Sequence, residues 1–412
     1  MRCGLLGRRL GYSHSPAIHG GFGLGYSYEL FEVEPRHLGD FLAGGDFHGL
    51  NVTMPYKTAV LPFCDALSPV AKSIGSVNTI LRRGDGSLFG DNTDAAGFRA
   101  MVERSGIIVS GRKVLVLGSG GSSLAVRHVL GELGAGEIVV ISRRGESHYG
   151  TLRQHRDTEI LINTTPVGMH PDSMRTPVNL ELFSHLVGVL DLIYNPARTR
   201  LLMDAEARDI PHLGGLPMLV AQAARAAEVF SGQRVTAQAE ASVLFALRRQ
   251  TENLILVGMP GAGKTTIGQL VAERLGRQFV DADQLLEKAT GGTIPELFER
   301  VGEGGFRDWE TELLTQLGRK SGKVIATGGG CVTRLENYPH LHQNGVIICL
   351  ERALSDLPRE GRPLSEQLDL KTMYAKRRPH YQHFADRTVE NAGSPTRAAD
   401  RVVEVFYEVL GD

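Results

Sequence analysis

Cysteine is scarce in this chain. Four residues (Cys3, Cys64, Cys331 and Cys349) are scattered through 412, with no Cys-x-x-Cys pair. So few thiols over such a length argue against a disulfide framework and for a reduced, cytoplasmic protein. Long apolar runs are missing too. The longest, at 187–193, carries Asp191 and falls far short of the ~20 residues that span a membrane. Arg8 and Arg9 stand where a signal peptide needs its apolar region. Neither charge is in surplus: 45 Lys and Arg stand against 46 Asp and Glu. That balance gives no support to a broad nucleic-acid surface. The sequence has no low-complexity linker and no fixed-period repeat.

Glycine, by contrast, is plentiful. Its 50 residues are about 12% of the chain against a usual ~7%, without a collagen period. Tight turns and close backbone approach to ligands account for such an excess. Short β-branched runs alternate with helix-length segments. KVLVLG (113–118), EIVVIS (137–142), EILIN (159–163) and VGVLDLIY (187–194) read as buried strands, and 122–133 as a helix. A second set follows: NLILVG (253–258), QFVDAD (278–283), KVIATGGG (323–330) and GVIICL (345–350). Strands spaced by helices predict βαβ units and parallel sheets, hence an α/β protein. A long Ala-rich helical tract at 216–250 separates the sets, and the polar stretch 248–253 is the expected boundary.

Each set opens with a Gly-rich loop. In the first, Gly118, Ser119, Gly120, Gly121 and Ser122 follow a strand and open a helix, a dinucleotide fingerprint with Ser in place of its third Gly. Glycines there let a pyrophosphate reach amides at a helix N-terminus. The second strand ends in Ser142, Arg143 and Arg144, where an NAD site would carry a carboxylate. Guanidiniums suit a 2′-phosphate, so NADP(H) is the expected cofactor. Further toward the N-terminus, Ser13-His14-Ser15-Pro16 precedes a helical stretch. Ser15 fits an N-cap with Pro16 at N1, and the two serine hydroxyls equally fit a small carboxylate ligand. Asp94 reads as a cap for a helix at 95–103 or as a functional carboxylate.

These segments together resemble shikimate dehydrogenase over about 1–248. The residues carrying the resemblance are the SHSP stretch, NVTMPYK (51–57), SVNT (76–79), GDNTD (90–94), the GSGG loop, INTTPVGM (162–169), DLIYNPARTRLL (191–202) and GGLPMLVAQAA (214–224). The resemblance implies NADPH reduction of 3-dehydroshikimate to shikimate by a catalytic pair, Lys57 and Asp94. It implies a substrate site of Ser13, Ser15, Thr53, Asn78, Asp94, Tyr194 and Gln222. It adds Leu192 and Gly215 to the NADP contacts. A substrate-binding α/β domain at 1–92, completed by 213–248, would flank a Rossmann domain at 93–212. The chemistry agrees: hydride reaching a ketone leaves an alkoxide that needs a positioned proton donor. The family's Asn-Arg-Thr after the second Rossmann strand is here Ser142-Arg143-Arg144, which keeps the arginine.

The second Gly-rich loop, Gly258-x-x-x-x-Gly263-Lys264-Thr265, has the phosphate-loop pattern. Its amides cradle phosphates, Lys264 reaches the β/γ-phosphates and Thr265 offers a hydroxyl to Mg²⁺. Asp281 and Asp283, two apart at a strand end, are expected on one face: one for the Mg²⁺ shell, the other to orient a hydroxyl. Arg307 and Arg377 are both candidates to clamp a carboxylate, and Gly328–Gly330 leave bare backbone for a ligand.

This half resembles shikimate kinase over about 253–412, through GMPGAGKTT, FVDAD, GEGGFRDWE, ATGGG, GRPL and KRRPHY in order. The resemblance implies a P-loop kinase fold and transfer of the ATP γ-phosphoryl to the shikimate 3-hydroxyl. Gly261, Ala262, Gly263, Lys264, Thr265, Thr266 and the lid residue Arg362 would bind ATP. Lys264 would be catalytic, and Thr265 and Asp281 would hold the metal. Asp283, Arg307, Gly329 and Arg377 would bind shikimate. The segment before the lid, ERALSDLPRE (351–360), is shorter than the family's and carries Pro358, so a truncated entry helix is expected. The product of the first reaction is the substrate of the second, which points to a bifunctional enzyme acting on small molecules, without nucleic-acid or membrane partners. Three other readings stay open on sequence alone. One half is degenerate, serving as a nucleotide-binding or scaffolding module; the first half is an NAD-using quinate/shikimate dehydrogenase; or the second phosphorylates gluconate or a nucleotide.

Overall fold

The computed structural model describes residues 1–11, 13–357 and 370–411. Two compact units result. One comprises Met1–Met169, Arg175–Tyr194 and Leu201–Leu244; the other comprises His170–Met174, Asn195–Arg200 and Phe245–Asp412.

The first unit holds two sheets. The strands of the first are β1 (Arg2–Gly7), β2 (Ser27–Glu32), β3 (Gly49–Val52), β4 (Ala66–Leu67), β5 (Thr79–Arg82) and β6 (Leu88–Asp91), in the order β2-β1-β3-β5-β6-β4. It is mixed: β5 runs antiparallel to both β3 and β6. The second contains β7 (Lys113–Leu117), β8 (Glu137–Ile141), β9 (Ile160–Asn163), β10 (Gly188–Asp191) and β11 (His212–Leu213), ordered β11-β10-β9-β7-β8 with every pairing parallel. Helices cover both faces of a parallel sheet, so its central strands read as unbroken apolar runs. Val114, Leu115, Val116 and Leu117 are all fully buried. Truncating Leu115 to Ala would cost about 2–5 kcal/mol through lost transfer energy and the cavity left behind.

The helical tract predicted at 216–250 is two helices, Leu216–Ser231 and Ala237–Thr251. Gly232 ends the first at φ 68°, the left-handed conformation that caps a helix and that other residues resist. At 248–253, the expected boundary, helix passes almost directly into strand. The second helix runs to Thr251, and β12 (Asn253–Val257) starts two residues later. Between them Glu252 is buried. Burial pushes its carboxyl up, but Arg198 and Arg248 outweigh that and hold it below the usual range.

The second unit has one parallel sheet of β12, β13 (Phe279–Asp281), β14 (Val324–Ala326), β15 (Gly345–Glu351) and β16 (Arg387–Glu390), ordered β13-β14-β12-β15-β16. The sheet is flanked by Lys264–Leu275 and Pro395–Gly411. Both architectures are the α/β forms expected from the sequence. Among the described residues no helix is long and apolar enough to cross a membrane.

Candidate active sites

In the first unit, Lys57 and Asp94 are brought together. Lys57 Nζ donates to Asp94 Oδ2 at 2.6 Å. The lysine side chain is 17% exposed and the aspartate 3%, so solvent reaches the pair from the lysine side. Asp94 is the first residue of the helix Asp94–Ser105, but its carboxylate caps nothing. The N-cap is Thr93, and Asp94 Oδ1 instead accepts from Asn78 Nδ2 at 2.8 Å. The capping alternative is therefore overturned: both oxygens are committed to side chains rather than to helix amides.

The dinucleotide loop lies beside this pair. A Cβ on Gly121 would stand 3.7 Å from Lys57 Cδ. Gly118 packs so closely on the β9 exit that a Cβ would lie 2.7 Å from Thr164 Oγ1. Gly120 is the N-cap of Gly121–Glu132 and makes no side-chain cap hydrogen bond, which leaves the first helix amides to an anion. Ser119 and Gly120 are exposed and Ser122 is half-buried. Arg143 and Arg144 stand exposed in the turn after β8, which Ser142 closes by donating its amide to the Ser147 carbonyl at 3.2 Å. Gly215 sits against the carbonyl of Leu192, where a Cβ would collide. These loops together give glycine backbone for a pyrophosphate and exposed guanidiniums for a 2′-phosphate, which fits NADP.

Around them, Ser13 Oγ accepts from the Ser15 amide and donates to Ser15 Oγ, both at 3.2 Å. The short helix Ser15–Gly21 has His14, not Ser15, at its N-cap. The expected cap is thus displaced by one: His14 already has helical dihedrals, so Ser13 takes over the amide of Ser15. Tyr194 meets His14 edge to face, ring centroids 6.0 Å apart. Thr53 is half-buried, its amide on the Leu6 carbonyl at 2.9 Å. Gln222 packs against Gly97, one turn beyond Asp94, and its buried Oε1 has no protein partner.

In the second unit a pocket of about 530 Å³ is lined by Gly261, Gly263, Lys264, Thr265 and Thr266 on one side and by Asp283, Arg307, Gly329 and Arg377 on the other. Ala262 is buried beneath it. Lys264 Nζ turns back onto the carbonyls of Gly258 and Met259, at 2.8 and 3.1 Å. Thr265 Oγ1 donates to Asp281 Oδ2 at 2.7 Å, so the two oxygen donors expected for a hard cation share one spot. Asp281 is not simply a strand residue on the same face as Asp283. It caps the helix Ala282–Thr290 by accepting from the amides of Asp283 and Gln284, and Asp283 lies in the first helical turn. Both still line the pocket.

The Asp283 carboxyl is pushed up to about 6. Burial is the main cause; Glu310 and Asp281 add to it, while Lys264 and Arg307 oppose it. Arg307 Nη1 donates to Glu310 Oε2 at 2.6 Å, with both side chains buried. Arg307 Nε and Glu310 Oε1, also buried, have no protein partner, as expected where a polar ligand completes the bonding. Gly328 lies between two acids: a Cβ there would be 2.6 Å from Glu310 Oε1 and 2.7 Å from Asp283 Oδ1. Arg377 Nη1 and the Tyr381 phenol both donate to the Gly329 carbonyl, at 3.2 and 2.5 Å. Sequence reasoning missed Glu310 and Tyr381. The i,i+3 spacing of Glu310 from Arg307 and the i,i+4 spacing of Tyr381 from Arg377 were usable signals. Pro358 and Arg362 lie outside the described residues, so the expectations about the lid fall there too.

The first unit thus has the build of a Rossmann-type dehydrogenase and the second that of a P-loop kinase. Comparison with known proteins sharpens both. Residues 5–80 match the shikimate dehydrogenase substrate binding domain, and residues 260–407 match shikimate kinase. The NADP(+)-dependent shikimate dehydrogenase of Clostridium beijerinckii is 37% identical over 55% of this chain and 90% of its own length. That of Methanopyrus kandleri is 38% identical over 56% of this chain and 90% of its own. A crystal structure of shikimate 5-dehydrogenase from Thermus thermophilus, in complex with NADP(H) and shikimate, aligns with a TM-score of 0.54 and 35% identity, covering 59% of this chain and 98% of that one. A chorismate mutase/shikimate 5-dehydrogenase fusion protein from Clostridium acetobutylicum aligns at 0.57 and 33%, covering 60% and 96%. The chain belongs to the shikimate dehydrogenase family and carries a shikimate kinase domain behind it.

Proposed function

We propose that this chain is a bifunctional enzyme: it reduces 3-dehydroshikimate to shikimate with NADPH, then phosphorylates shikimate with ATP. The observation carrying this reading is that each unit gathers its own set of groups, Lys57 and Asp94 in one and Lys264, Asp283, Arg307 and Arg377 in the other; on this reading the two sets would serve consecutive steps.

In the first unit NADPH would lie along the 118–122 loop with its 2′-phosphate at Arg143 and Arg144; when bound, it supplies hydride. Ser13, Ser15, Thr53, Asn78, Tyr194 and Gln222 would hold the substrate's carboxylate and hydroxyls, which need many small polar partners. Lys57 delivers a proton to the alkoxide oxygen. Asp94, gripped by Asn78, keeps the ammonium aimed.

In the second unit the 261–266 loop would cradle ATP, with Thr265 and Asp281 holding Mg²⁺, which neutralises phosphate charge when bound. Arg307 and Arg377 clamp the shikimate carboxylate. Asp283, raised by burial, takes the proton of the 3-hydroxyl, and Lys264 offsets charge on the phosphates. We place the substrate domain of the dehydrogenase at 1–92 with 213–248, the NADP domain at 93–212 and the kinase at 253–412. A coupled assay tests the whole: with 3-dehydroshikimate, NADPH and ATP supplied, shikimate 3-phosphate should accumulate. Accumulation of shikimate alone would remove the kinase from the proposal; no NADPH consumption would remove the dehydrogenase.

A further inference from the structure

Behind the dehydrogenase substrate site runs a line of hydrogen bonds with one side branch, the Thr93 hydroxyl, which meets Thr79 Oγ1 and donates to Asn78 Oδ1, both at 3.2 Å. The Tyr28 phenol donates to Asn51 Oδ1 at 2.7 Å. Asn51 Nδ2 donates to Thr79 Oγ1 at 3.2 Å, and Thr79 Oγ1 donates to Asn78 Oδ1 at 3.0 Å. Asn78 Nδ2 closes the line on Asp94 Oδ1 at 2.8 Å. At the other end the Ser15 hydroxyl meets the Tyr28 phenol. Every link points the same way, from the serine pair toward the carboxylate that holds Lys57. Such head-to-tail chains polarise one another.

Of the two amides in the line, Asn78 works only one way round: reversed, it would set its oxygen against Asp94 Oδ1 and its NH2 against the Thr93 amide. Asn51 lies between two hydroxyls, each able to donate or accept, so its orientation is set from the side, by His19. Its ring is 3% exposed and stacks on Tyr28 at 3.9 Å and 12°. Its Nδ1 takes the Tyr26 phenol at 2.6 Å, which leaves the other nitrogen to donate to Asn51. Burial drives the imidazole down to about 3, so it stays neutral, with one nitrogen donating and the other accepting. Thr79 holds the second amide together with Thr93, whose backbone and hydroxyl donate to Asn78 Oδ1 at 2.7 and 3.2 Å.

We propose that Tyr28, Asn51 and Thr79 are positioning residues of the dehydrogenase site: they lock the Asn78 amide in the one orientation that presents Asp94 to Lys57. The inference rests on the dehydrogenase reading above. The test is steady-state kinetics of Thr79→Val, which keeps the shape and removes the hydroxyl, beside Thr79→Ser, which restores it. A titration of NADPH reports folding, because the line does not touch the cofactor loop. Thr79→Val should lower kcat for 3-dehydroshikimate about tenfold, the scale of a misaligned reacting group, while its KM moves less than about twofold. Thr79→Ser should return kcat to within about twofold of wild type. If Thr79→Val does not bind NADPH, Thr79→Ala, which also lacks the hydroxyl and adds no bulk, decides by the same kcat-against-KM split. An active wild type whose variants keep full kcat, or lose it equally in Val and Ser, overturns this inference alone. A wild type that consumes no NADPH overturns the dehydrogenase reading and this inference with it.

Discussion

The Arg307 guanidinium lies so close over Gly330 that a methyl group on the glycine would overlap Nη2. The glycine is what lets the arginine occupy the pocket floor beside Glu310. Gly330→Ala should therefore push Arg307 aside without touching the phosphate loop. The KM for shikimate in phosphorylation should rise about tenfold, roughly 1.4 kcal/mol, with the KM for ATP little changed. Equal loss for both substrates would mean that Arg307 does not hold shikimate.

The two chemistries should be separable. Lys57→Ala is expected to abolish NADPH oxidation and leave shikimate phosphorylation near wild type; Lys264→Ala should do the reverse. Separate assays of the two activities on each variant check this. Loss of both activities from one folded variant would show that the sites are not independent.

Cofactor choice should reside in the turn after β8. Replacing Arg143 and Arg144 together by Ala removes two exposed cations that only a 2′-phosphate would engage. The Kd for NADPH should weaken at least about tenfold, that for NADH less than about twofold, and the NADPH effect should shrink as salt is raised. Titrations with both cofactors at two ionic strengths decide the matter.

Asp283 links activity and stability with opposite signs. Its carboxyl titrates at about 6 in the fold, burial being the main cause, against about 3.9 in an unfolded chain. The folded state thus prefers the protonated acid. That preference stabilises fully below about pH 4 and is lost as pH rises through 6. At pH 7 the ionised group is a liability, so Asp283→Asn should raise Tm by about 2–4 °C, a gain that vanishes near pH 4. The same change should cut phosphorylation at least about a hundredfold, and wild-type kcat should fall as pH drops below about 6. Thermal melts and pH–rate profiles test both halves; a Tm gain independent of pH would contradict the assignment.

Much of this molecule was legible because backbone demands leave marks in sequence. The Gly-x-x-x-x-Gly-Lys-Thr and GSGG loops are where chain must pass close to phosphate, and β-branched runs report buried parallel strands. What escaped depends on which side chain answers which backbone group. Ser15 reads as a cap, yet His14 enters the helix first and Ser13 takes the amide. Asp94 reads equally as a cap, but Asn78 and Lys57 claim both its oxygens. Asp281 reads as a face-mate of Asp283 on a strand, and instead turns to cap the helix that Asp283 sits in. Thr79, Asn51 and Tyr28 come from three strands, β5, β3 and β2; their alignment exists only after β3 and β5 pair antiparallel.

The helix Ile294–Gly318 is interrupted at Gly302, with φ 70° and ψ 178°, a conformation open to glycine and to little else. Ile294, Pro295 and Phe298 line the pocket from before the break, while Arg307 and Glu310 line it from beyond. The rim and the ionic floor are nevertheless joined across the break: Phe298 stacks on Phe306 at 4.3 Å, and the Phe306 ring lies 5.1 Å from the Arg307 guanidinium, so a substitution that reshapes the rim at Phe298 reaches the arginine through Phe306. A protein engineer looking to admit a bulkier hydroxy acid has to turn the rim and the anchor together, because the aromatic pair bridging Gly302 gears one to the other.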